Sequence, residues 1–131
     1  MVERNEVLVA DDEEEIRVAV IAAVREVFPD LTIHEAALGF EALRIIYKTG
    51  DRVFLVVSDG KMGGNIGAGE DVTTAAREKG VPHVALYSTG AGILRRRLEP
   101  DGIKCITKPN SGEPHDELRA WLASITERPH S

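Results

Sequence analysis

Polar and apolar positions alternate along the chain in two rhythms. Runs dominated by apolar or β-branched residues stand at 6–10 (EVLVA), 31–36 (LTIHEA), 53–58 (VFLVVS), 82–88 (PHVALYS) and 104–107 (KCIT). Between them, apolar residues recur every three or four positions. The runs read as strands covered on both faces, and the segments between them as the amphipathic helices that cover them. The spacing predicts helices over about 12–28, 40–48, 68–79, 93–98 and 114–126. In the first, Ile16, Val20, Ala23, Val24 and Val27 fall on one stripe; in the last, Leu118, Trp121, Leu122 and Ile125 do. Pro29-Asp30 stops the first helix, Gly50 is predicted to close the second in a left-handed cap, and Gly80 ends the third. Pro82 is tolerable at the first position of a strand. Strands and helices in strict alternation predict an α/β fold built on a parallel sheet.

Length and charge narrow the function classes. With 131 residues, the chain is expected to form a single domain over 1–131, with its core at about 6–126 and a tail at 127–131. The net charge of −6 opposes nucleic acid and anionic lipid as direct partners. The lone cysteine, Cys105, has no second cysteine to pair with, the first ten residues lack a signal-peptide pattern, and no apolar run approaches a membrane span. The cytoplasm is the expected location.

Open α/β sheets bind their ligands at the carboxyl ends of the strands, near the point where strand order reverses. There the chain places ADDEEE after the first strand, SDG after the third, YSTG after the fourth and TKP after the fifth. Asp11, Asp12 and Asp59 would then crowd one edge, and two carboxylates at 4 Å repel by about 4 kcal/mol at an effective dielectric of 20. Such crowding raises a pKa or recruits a cation, and an all-oxygen set favours Mg²⁺. Lys108 and the Ser88 hydroxyl at the same edge would suit a phosphoryl group, neutralised on one side by the metal and on the other by the ammonium.

These motifs, LVADDE, VVSDGKMGG, ALYSTG and CITKP in this order, resemble those of bacterial response-regulator receiver domains, over about Glu6 to Ile125. The resemblance implies a flavodoxin-like doubly wound three-layer sandwich with a five-stranded parallel sheet in the order 2-1-3-4-5. It implies that Asp59 accepts a phosphoryl group from a histidine kinase or phosphotransfer protein. Asp12, Asp59 and the Lys61 carbonyl would hold Mg²⁺, with Asp11 assisting through water, and Ser88 and Lys108 would contact the phosphoryl oxygens. The Lys108-Pro109 peptide is similar to one that is often cis in the family. The output surface would lie on the fourth helix, fifth strand and fifth helix, facing a downstream protein or a second copy of the chain. Such a protein is no enzyme in the usual sense, although it assists its own phosphorylation and dephosphorylation.

The chain departs from the family pattern at several positions. Met62-Gly63-Gly64 replaces Met-Pro-Gly, which is expected to loosen the loop; Thr89 stands where alanine or glycine is common; and Cys105 takes the place of an aromatic switch residue. Lys61 lies two positions past the acceptor, beside the phosphoryl group in the family. Two other functions compete. A pseudo-receiver would keep the fold and switch without phosphorylation, as an interaction or dimerisation module. A dehalogenase-type phosphohydrolase would need a second aspartate where Lys61 stands. Asp11 and Asp12 could also simply cap the first helix, the Arg95–Arg97 run could be a solvated face, and Cys105 reads as a buried small thiol.

Overall fold

Each apolar run forms a strand in the computed structural model, which describes residues 3–125. The strands are β1 (Glu6–Ala10), β2 (Thr32–Ala36), β3 (Val53–Ser58), β4 (His83–Ser88) and β5 (Ile103–Thr107), and they form one parallel sheet in the order β2-β1-β3-β4-β5. The helices are α1 (Glu14–Val27), α2 (Gly39–Thr49), α3 (Ala68–Glu78), α4 (Ala91–Leu98) and α5 (Asp116–Ser124), with 3-10 turns at Gly50–Arg52 and Glu99–Asp101. This is the flavodoxin-like doubly wound sandwich expected from the sequence. The chain leaves β1 for β2 on one side and reaches β3 on the other, so the order reverses at β1 and β3.

Strand pleating sorts the side chains into two cores. Val7, Val9, Leu55, Val57, Ala85, Tyr87 and Ile106 pack with Val20, Val24, Leu118 and Leu122 of α1 and α5. Their alternate neighbours Leu8, Ala10, Val56, Val84, Leu86 and Cys105 pack with Ala42, Ile46, Val72, Ala76 and Leu98 of α2, α3 and α4. β3 is buried at every position, and each fully buried Val, Leu or Phe contributes about 1.5–3 kcal/mol. The strand that leads into Asp59 is therefore the most firmly seated in the sheet.

The outer edge of β5 is covered by side chains. The Cys105 N–H donates to Glu99 Oε2 at 3.3 Å, the Cys105 carbonyl accepts from Arg95 Nη2 at 2.9 Å, and the Thr107 N–H donates to Glu117 Oε2 at 3.2 Å.

The structure corrects several expectations. Gly50 is not left-handed but has φ −59° and continues into a 3-10 turn; its missing side chain matters because a Cβ would stand 3.0 Å from the Lys79 side chain. Gly80 does take a left-handed φ of 81°. The fourth helix starts earlier than its apolar spacing indicated, at Ala91, and α1 begins at Glu14. The Lys108-Pro109 peptide is trans, as are all peptides among the described residues. Arg95 and Arg97 are exposed but engaged, with Arg97 reaching Glu70 at 2.6 Å. Cys105 is buried, and Trp121 is half-buried against the α1 and α5 core. α5 spans Asp116–Ser124, shorter at both ends than the expected 114–126, with Ile125 already extended; the tail expected at 127–131 lies outside the described residues.

Candidate functional site

Sheet pairing continues one residue past the strand ends and so fixes the backbone of the expected site. The Asp59 N–H donates to the Ala10 carbonyl at 2.7 Å, the Asp11 N–H to Ala36 at 3.0 Å, and the Lys108 N–H to Ser88 at 3.1 Å. Asp11, Asp59 and Lys108 thus leave the carboxyl edge of the sheet with their backbones bonded to neighbouring strands.

Their side chains converge. The Lys108 ammonium lies 2.8 Å from Asp11 Oδ2 and 3.2 Å from Asp59 Oδ1, with all three side chains largely shielded from solvent. Asp59 Oδ1 also accepts the Gly60 N–H at 2.7 Å. Burial, followed by the neighbouring Asp11 charge, pushes the Asp59 carboxyl above its ordinary value, against the opposing pull of Lys108 and the Gly60 N–H. Burial works against the Lys108 charge, but the bonds and charges of Asp11 and Asp59 outweigh it and hold the ammonium above its ordinary value. A buried cation between two acids is how this edge limits the crowding that its sequence creates.

The remaining predicted residues surround this centre. Asp12 is exposed and its Oδ2 accepts the Gly63 N–H at 3.2 Å, which ties the end of β1 to the loop after β3. That loop is fixed by Met62, which is buried and exchanges backbone bonds with Asn65 at 3.2 and 3.0 Å. Gly63 and Gly64 take φ of 59° and 81°, which the missing proline could not adopt. Lys61 is exposed at the start of this turn. Ser88 stands against Gly60: a Cβ on that glycine would meet Ser88 Oγ at 2.9 Å. Thr89 is exposed and borders a cleft shared with Lys108. Neither Asp11 nor Asp12 acts as the N-cap of α1, since Glu13 occupies that position without a side-chain bond; Asp11 Oδ1 accepts the Glu13 N–H at 2.9 Å.

Three features escape the sequence reading. Glu13 joins Asp11 and Asp12, whose carboxylate oxygens lie within 4.8 Å of one another, while Asp59 is linked to them through Lys108. An all-oxygen group of this kind fits a hard divalent cation such as Mg²⁺. Gly69, in the first turn of α3, packs on the loop that leaves β3: its N–H donates to Gly60 O at 2.9 Å, and a Cβ would lie 2.1 Å from the Asp59 carbonyl oxygen. Its only signal was a glycine at a helix start. Tyr87 and His115 meet through their polar atoms, although their spacing along the chain carries no motif.

No protein-family model matches the chain, and no curated protein sequence matches it. Solved structures do. The chemotaxis protein CheY4 of Vibrio cholerae aligns at 20% identity over 92% of this chain and 97% of its own, with a TM-score of 0.63. The receiver domain of the response regulator PhyR from Erythrobacter litoralis aligns at 16% identity over 98% and 97%, with a TM-score of 0.62. CheY of Borrelia burgdorferi, solved with CheX, BeF₃ and Mg²⁺, aligns at 21% identity over 90% and 83%, with a TM-score of 0.58. The chain has the fold of the response-regulator receiver domains.

Proposed function

We propose that the chain is the phosphoacceptor of a two-component signalling step, with Asp59 as the acceptor. The observation that carries this reading is the Lys108 ammonium held between Asp11 and Asp59 at the switch-point edge of the sheet. Asp59 Oδ1 is already engaged by Lys108 and the Gly60 N–H, so Oδ2 is the oxygen that attacks phosphorus. The new P–O bond forms as the bond from phosphorus to the donor's histidine nitrogen breaks, and that nitrogen keeps the electron pair. The product is an acyl phosphate on Asp59.

Mg²⁺, when bound, neutralises charge on the transferring phosphoryl oxygens. Asp11, Asp12 and Asp59 would hold it with the Lys61 carbonyl, and Glu13 stands close enough to Asp12 to contribute. Lys108 neutralises the phosphoryl group from the protein side, and the Ser88 hydroxyl, beside Gly60, donates to another oxygen. The chain turns over no separate substrate, so its output is a change in affinity for a partner. α4, β5 and α5 form the surface offered to that downstream protein or to a second copy of the chain. The phosphoryl donor is a histidine kinase or phosphotransfer protein, and a cytoplasmic setting suits both partners. Among the described residues no helix is long and apolar enough to cross a membrane.

Incubation with Mg²⁺ and acetyl phosphate tests the reading. A base-labile adduct of one phosphoryl group, absent from Asp59→Asn, is the expected result. No adduct, together with no response to beryllofluoride, would leave the phosphorylation-independent interaction module in its place.

A further inference from the structure

Two side chains that this chemistry does not use meet beside it. Tyr87 is fully buried on β4, one residue before Ser88, and its hydroxyl is hydrogen-bonded to Nδ1 of His115. The rings also touch, with centroids 5.7 Å apart and planes inclined by 53°. His115 sits at the N-terminal boundary of α5, and with Lys108, Thr89 and Glu13 it lines a cleft of about 430 Å³ next to the acceptor site.

At neutral pH the bond runs in one direction. Burial, with the Glu117 charge next, pushes the Tyr87 phenol up to about 12, so it keeps its proton and donates. Burial, then Arg119 and Lys108, hold the His115 imidazole below its ordinary value, so Nδ1 is free to accept. Without that acceptor the buried Tyr87 hydroxyl would lose its partner.

The segment from Lys108 to His115 ends at α5, which is held by the buried Leu118 and by Glu117 Oε2 accepting the Thr107 N–H at 3.2 Å, and one further side-chain bond ties that end to β4. Residues 110–114 are exposed; within them a turn is closed by the Glu113 N–H to the Asn110 carbonyl at 3.0 Å, with Gly112 left-handed at φ 84°. At the near end, Lys108 is fixed to Ser88 through the backbone. At the far end, His115 reaches Tyr87 of the same strand.

We infer that Tyr87 and His115 form a positioning latch, which fastens the far end of the Lys108 loop to the strand carrying Ser88 and so holds both phosphoryl-contacting arms as one unit. What that unit contacts rests on the proposed phosphoacceptor function; the fastening rests on the geometry alone. The charged groups around His115 are Lys108 and Glu113 of the loop, Asp116, Glu117 and Arg119 of α5, and, across the cleft, Glu13 at the N-cap of α1 and Glu15 in its first turn. Because its folded-state pKa lies below the ordinary 6.5, the latch is intact above that value and is lost as pH falls through the lowered one, where Nδ1 gains a proton and ceases to accept.

The test is amide hydrogen exchange across 108–115 in the full chain, corrected for intrinsic rates, on wild type, Tyr87→Phe, His115→Gln and the double variant. Tyr87→Phe keeps the packed ring, and His115 is only half-buried, so at least one single variant remains folded. Each single variant should lower protection of the loop about fivefold, and the double variant should lower it little further. Protection in wild type should fall with acid, and in Tyr87→Phe it should stay flat. The affinity for beryllofluoride with Mg²⁺ should drop about fivefold in the same variants. Unchanged loop protection in Tyr87→Phe, or additive losses in the double variant, would overturn the latch; so would a loosened loop with undiminished beryllofluoride affinity. If wild type itself ignores beryllofluoride, the phosphoacceptor function fails, and the exchange results alone decide the latch.

Discussion

Gly69→Ala separates backbone approach from helix propensity. In an ordinary helix this change stabilises by about 1 kcal/mol, because alanine loses less conformational freedom on folding. At this position the added methyl would stand 2.1 Å from the Asp59 carbonyl oxygen, 2.5 Å from Gly60 Cα and 2.8 Å from Leu86 Cδ1. Optimal separations between carbon atoms are about 3.5–4.0 Å. Two of the three neighbours are backbone of the best-buried strand end and cannot rotate aside, so α3 must retreat by more than an ångström. Overpacking of a core costs about 1–3 kcal/mol, and a rigid neighbour places Gly69 at or beyond the upper end. Against the propensity gain, the net loss is about 2 kcal/mol. For a domain of this size that corresponds to a melting temperature lower by about 6–10 °C. Gly92→Ala in α4 is the control: a Cβ there meets nothing within 4 Å, so the same change should raise the melting temperature by a few degrees. Thermal unfolding followed by circular dichroism reads both. If Gly69→Ala gains stability as Gly92→Ala does, the close approach of α3 to Asp59 and Gly60 is wrong.

Further outcomes follow from the charge arrangement. Asp59→Asn should abolish the adduct with acetyl phosphate and raise the metal-free melting temperature. The Asp59 pKa is raised, so its contribution to stability is present in acid, below the unfolded value, and lost as pH rises through the folded one; the asparagine variant should lack that part of the pH dependence in denaturant titrations. Lys108→Met leaves Asp11 and Asp59 without their shared cation and should cost about 2–3 kcal/mol without metal, part of it recovered on adding Mg²⁺; equal stability with and without Mg²⁺ would argue against an ion at these acids. Lys61→Ala should leave folding unchanged, since the side chain is exposed, yet alter the acyl-phosphate half-life about threefold or more. An unaltered half-life would remove Lys61 from any part in water access.

The sequence revealed what burial on both faces dictates. Val53–Ser58 admits no exposed position, so only apolar or small residues are tolerated there, and the acid after it stands out. Asp59 was legible for that reason; Lys108 follows a strand with Lys104 and Thr107 exposed, and only the proline after it and its spacing from Ser88 marked it out. α4 was harder to bound because only Ala91 and Leu98 of its eight residues are buried, while Ile93 is 87% exposed, so its apolar period is broken. Gly50 and Gly80 both follow helices, and their residue type cannot distinguish a right-handed continuation from a left-handed stop; Gly50 is there because a Cβ would crowd the Lys79 side chain from another segment. Gly69 and the Tyr87–His115 pair depend in the same way on contacts between segments distant in sequence. A buried tyrosine on an apolar strand gives no sign of where its hydroxyl will find an acceptor.

The covered margin of β5 decides how the chain can associate. With the Cys105 amide and carbonyl and the Thr107 amide taken by Glu99, Arg95 and Glu117, the middle of that margin is a poor template for another polypeptide to zip onto. That favours complexes on this flank made by side chains docking face to face. The same three residues guard a five-stranded protein against growing into an open-ended assembly.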